Sequence, residues 1–93
     1  MKCVSKKALA EFAKIDSFAA VAQKYNMLYS YNEELFPVQP FVECVIGFWR
    51  GDGIDHAQEL ESAKQDCYAA AAKAKGKYTV EQDSACITIT RVG

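Results

Sequence analysis

Paired cysteines, histidine and long apolar runs are scarce in this 93-residue chain, and each shortage closes off a class of function. The four cysteines, Cys3, Cys44, Cys67 and Cys86, lie far apart with no C-x-x-C spacing. That argues against a cysteine-based metal site. His56 is the single histidine. Asp52, Asp55 and His56 offer oxygen and nitrogen ligands from one turn, but three such ligands in five residues are not a recognised metal-binding pattern. No apolar run approaches the roughly 20 residues of a membrane span. The opening stretch, MKCVSKKALAEF, has charge but neither the apolar region nor the cleavage site of a secretory leader. A cytoplasmic protein with free thiols is therefore expected.

Glycine is sparse too, with five in all. Gly51 and Gly53 form the one close pair, in Arg50-Gly51-Asp52-Gly53. Their spacing matches neither the Rossmann fingerprint nor the P-loop. Asp52 and Asp55 would repel a phosphate placed there, and no lysine follows to offset them. A tight structural turn accounts for the motif, and the Arg-Gly-Asp tripeptide is treated as coincidence.

What remains is the composition of an ordinary small globular domain, half apolar and a quarter charged, expected to form one unit over residues 1–93. Periodicity sets its elements. Phe41 to Trp49 alternates, with Val42, Cys44, Ile46 and Phe48 on one face, so a strand half-covered by the core is expected. After it, Leu60, Ala63, Cys67, Ala70, Ala71 and Ala74 recur at three- and four-residue spacing and mark a long amphipathic helix. That helix starts at Asp55 with Gln58 closing a capping box, or at Gly53, and stops at Gly76.

Upstream, Ser5 caps a helical stretch running to about Tyr25. Its two apolar stripes, Leu9-Phe12-Ala13 and Phe18-Val21-Ala22-Tyr25, are out of phase. Asp16 is placed to recap a second helix between them, giving two short helices or one kinked one. Asn26 suits a left-handed stop. Residues 27–40 read as a surface loop, with a short strand over Met27–Tyr31 as the alternative. Pro37 and Pro40 exclude regular structure in the second half of that stretch. Lys77–Gln82 and Ala85–Val92 read as strands of a hairpin turning at Gln82-Asp83-Ser84. The expected fold is α+β, in the order α-β-α-β-β, with helices on one face of a mainly antiparallel sheet.

For function the residues offer a surface and no reactive constellation. Cys44 and Cys67 fall on core stripes, where a thiol is inert, so a Cys–His pair with His56 is disfavoured. No cofactor is indicated. Charge is segregated, with lysines up to Lys24, an acidic block from Glu33 to Asp66, and cations again from Lys73. Beside the acidic block sit Tyr25, Tyr29, Tyr31, Phe36, Phe48 and Trp49. The competing interpretation is that these rings fill the core of an alanine-rich domain. The leading expectation is a small intracellular module that binds a partner protein with a basic surface through Tyr29, Tyr31, Glu33, Glu34, Phe36 and Trp49. By association, such compact chains are common among phage and mobile-element genes, which suggests an inhibitor or regulator. The alternatives are a nucleic-acid-binding accessory protein and a dimeric small-ligand or enzymatic domain. The first is opposed by Glu33 and Glu34, which a helix-turn-helix frame over Phe18–Phe36 would present to phosphates. An alanine seam or an unpaired edge strand would favour a homodimer.

Overall fold

The computed structural model describes residues 2–33, 41–48, 55–83 and 85–92. The elements run β1 (Lys2–Cys3), α1 (Lys6–Phe12), α2 (Ser17–Lys24), β2 (Leu28–Tyr31), β3 (Phe41–Gly47), α3 (Ala57–Lys73), β4 (Tyr78–Gln82) and β5 (Cys86–Arg91). The five strands form one antiparallel sheet in the order β1-β2-β3-β5-β4. The three helices cover one of its faces, so the α+β arrangement expected from the periodicity is the observed one.

Local chemistry sets the helix boundaries. Ser5 Oγ accepts from the Ala8 N–H at 3.2 Å and opens α1. Asp16 Oδ1 accepts from the Phe18 N–H at 2.9 Å and opens α2, so the phase slip resolves into two helices. Asn26, at φ 57°, takes the left-handed turn that releases the chain into β2. The 27–40 stretch thus begins as a strand, held by pairing to β3 on one side and to β1 on the other. Residues 34–40, with both prolines, lie outside the described residues.

The start of α3 differs from the expected capping box. His56 is the N-cap and has no side-chain cap bond. Asp55 Oδ1 instead accepts from the Ala57 N–H at 3.0 Å, and His56 Nδ1 contacts Glu59 Oε2 at 3.0 Å. The imidazole stacks flat on Phe48, 3.8 Å between ring centres, which places residue 56 where the helix begins. The alternative cap, Gly53, lies outside the described residues with the rest of its turn. The helix ends earlier than expected, at Lys73, while Gly76 carries the positive φ of the turn into β4.

The core lies between sheet and helices. Leu60, Ala63, Cys67 and Ala70 line the buried face of α3. They meet Cys44, Ile46, Ile87 and Ile89 from the sheet, and Leu9, Phe18, Val21 and Ala22 from the other helices. The two isoleucines of β5 point inward as alternation requires, with Thr88 and Thr90 on the open face.

One expectation for β3 fails, and its failure shapes the site. Val42 pairs with Thr90, but Cys44 pairs with Ile89, so the ladder slips by one residue between them. Thr90 and Ile89 face opposite ways, and paired residues share a face. Val42 therefore joins the open face instead of the core, and Glu43 is the extra residue of a β-bulge. Asn32 holds the bulge from β2: its N–H donates to the Glu43 carbonyl and its Nδ2 to the Val42 carbonyl, both at 2.9 Å.

Candidate functional site

The bulge carries Glu43 to the helix side of the sheet, where it meets the corner between α1 and α2. A cleft of about 490 Å³ opens there, lined by Phe12, Ile15, Asp16, Ser17, Phe18, Glu43, Ala74 and Tyr78. Its walls are aromatic: Phe18 and Tyr78 meet edge to face, 5.4 Å between centroids. Two carboxylates line the same space. Asp16 is committed on both oxygens, Oδ1 to the α2 cap and Oδ2 to the Tyr29 hydroxyl, which donates at 2.8 Å. Glu43 Oε2 is buried and, among the described residues, accepts no hydrogen bond. Among the described residues, neither carboxylate belongs to an ion pair.

A second groove adjoins the first, lined by Ala8, Glu11, Phe12, Lys14 and Ile15 and almost wholly apolar. Phe12 and Ile15 belong to both. Ile15 is 86% exposed, more than any other large apolar residue described. A lone exposed isoleucine is unexceptional; one projecting between two grooves is a ready contact for a partner. Phe12 extends the surface towards β2 by packing at a tilt against Tyr31, 5.3 Å between ring centroids.

The residues expected to bind a partner divide accordingly. Tyr31 is half-buried beside Phe12, and Glu33 is exposed, 3.5 Å from the Tyr31 hydroxyl and 3.6 Å from Lys2 Nζ. These two border the Phe12 surface. Tyr29 is only 3% exposed and serves the core. Its ring packs beneath Phe12 at 6.3 Å, so it supports that surface without offering a face of its own. Glu34, Phe36 and Trp49 lie outside the described residues. Sequence reasoning missed Ile15 and Glu43 as site residues and saw Asp16 only as a cap. The short phase break at Ile15-Asp16-Ser17 was the signal for the corner. Nothing local announced the bulge.

Burial explains the protonation of the remaining groups. It raises the Tyr29 phenol, with Cys44 and Asp16 adding to the effect, so this hydroxyl stays a donor to Asp16. Tyr78 is raised by burial and then by the negative Glu43. The Cys67 thiol is pushed up to about 12 by burial, and Cys44 is raised for the same reason. Neither thiol is a nucleophile at neutral pH. Among the described residues, no group of three or more His, Cys, Asp or Glu side chains is gathered to hold a metal. No helix among them is long and apolar enough to cross a membrane.

Compared with known protein families, curated proteins and solved structures, the chain matches none.

Proposed function

We propose that the chain is a small protein-binding module whose docking surface is the corner between α1 and α2. The single observation that carries this reading is Ile15, standing exposed between an apolar groove and a cleft that holds two carboxylates outside any described ion pair. An apolar knob at the junction supplies contact area, and the carboxylates select for positive charge. The partner is a protein whose surface sets a lysine or arginine beside an apolar side chain. The same negative charge repels phosphate backbones, which weighs against direct binding of nucleic acid. In its specific form, the reading is of an intracellular inhibitor, of the kind phages and mobile elements encode, that fills a basic groove on its target.

Selection from a random-peptide display library tests this. Enriched peptides should carry Lys or Arg next to an apolar residue. Their affinity should fall about tenfold or more with Ile15→Asp, a loss of at least about 1.4 kcal/mol. It should also fall with charge reversal at Glu33 and Glu34, and with rising salt. Selection of peptides without basic residues, or equal binding by the Ile15→Asp protein, would refute the assignment. Retention on heparin that survives these substitutions would favour nucleic acid instead.

A further inference from the structure

The strand order leaves β4 at one end of the sheet, paired with β5 alone among the described residues. Its hydrogen-bonding pattern shows what the open side offers. The Lys77 carbonyl accepts from the Val92 N–H, and the Asp83 N–H donates to the Cys86 carbonyl. In an antiparallel ladder such pairs alternate along the strand. Residues 77, 79, 81 and 83 therefore direct their backbone groups towards β5. Tyr78, Val80 and Gln82 direct theirs outward, as a row of three donors and three acceptors.

We infer that this edge is where a second copy of the chain pairs, β4 against β4 in antiparallel register about a two-fold axis at Val80. That register uses all three outward residues, setting Tyr78 opposite Gln82 of the other copy and Val80 opposite its own equivalent. The side chains fit the same axis. Lys77 falls opposite Asp83, giving two complementary charge pairs, and Thr79 falls opposite Glu81, so no like charges stand directly across. All four of these residues are exposed. Asp83 accepts from its own turn through the Ala85 and Cys86 N–H groups, and pairing of the two edges would set its carboxylate opposite Lys77 of the other copy.

An exposed ring on α3 lies on the matching side. Asp66 binds Lys24 and the Tyr25 hydroxyl, so its flank of α3 faces α2. Tyr68 is two residues on, about 200° round the helix, and so occupies the opposite flank, towards the β4 edge. It is 48% exposed. Pairing of two edges would bring the two Tyr68 rings towards the shared axis and continue the sheet from five strands to ten. Edge strands that avoid association are usually short, bulged or guarded by an inward charge; β4 has five residues in unbroken register with β5.

Sedimentation equilibrium and native mass spectrometry of the whole protein, from about 1 μM to about 500 μM, decide the matter. The expected result is a reversible monomer–dimer equilibrium. Gln82→Pro removes an outward N–H while sparing every bond to β5, and should weaken the dimer by about tenfold or more. Lys77→Glu sets two anions face to face across the axis, and should weaken it in low salt with partial recovery in high salt. Far-UV circular dichroism confirms that each variant is folded, and Lys77→Glu stands as the test if Gln82→Pro is not. A wild-type monomer throughout, or a dimer indifferent to the folded variants, would overturn the inference.

Discussion

Asp16 performs two jobs with one side chain, and removing it should show both. Its Oδ1 caps α2 and its Oδ2 accepts the hydroxyl proton of buried Tyr29. Replacing an N-cap aspartate with alanine costs about 1 kcal/mol. Leaving a buried hydroxyl without its charged acceptor costs about 1.5–3 kcal/mol more. Asp16→Ala should therefore destabilise by about 3 kcal/mol, a large share of the 5–15 kcal/mol typical of a folded protein. Tyr29→Phe should cost about 1 kcal/mol, because the freed carboxylate lines the cleft and can recover water there. The double variant keeps the cap loss but no longer strands a hydroxyl. It should be more stable than the sum of the single effects by about 3 kcal/mol. Asp16→Asn retains a cap and an acceptor and should lie between wild type and Asp16→Ala. Urea unfolding of the five proteins, followed by circular dichroism, measures each term. Single effects that add to within about 0.5 kcal/mol would refute a shared role for Asp16.

Two further outcomes concern the packing and the ion pairs. Leu60 is 1% exposed and is the first buried residue of the α3 stripe, so Leu60→Ala should cost about 2–5 kcal/mol; an unchanged denaturation midpoint would remove α3 from the core. Asp66 has its carboxyl held below the usual range by hydrogen bonds from Lys24 and then Tyr25. A carboxyl lowered in the folded state stabilises it above the unfolded value of about 3.9 and loses that contribution as pH falls through the folded value. The stability gap between wild type and Asp66→Asn should thus be constant near neutral pH and close below about pH 4. A gap that widens on acidification would contradict the pairing.

Much of the fold was legible because local rules agreed with the tertiary outcome. Ser5, Asp16 and Asn26 bound their helices by interactions spanning two or three residues. The stripe from Leu60 to Ala70 and the pair Ile87 and Ile89 chose their buried faces by periodicity alone. Where the reading strayed, a distant partner had decided. β1 and β2 are short, and pairing with each other and with β3 makes them strands. His56 begins α3 stacked on Phe48, the residue that follows β3, and the box expected at Asp55 does not form.

The surface assignment follows the same division. Residue order alone determined that acidic and aromatic side chains would share one part of the chain, because both lie close together in the sequence from Tyr25 to Phe48. Which of them reach solvent was settled by packing. Tyr29 and Tyr31 are two residues apart on one face of β2, yet Tyr29 lies under Phe12 and bonds Asp16 while Tyr31 reaches the boundary. Glu43 had an outward place in strict alternation, and one extra residue in β3, held by Asn32, turned it into the cleft. Periodicity is a property of neighbours along the chain. A bulge is a property of two strands together, and only the assembled sheet could place that carboxylate beside Asp16.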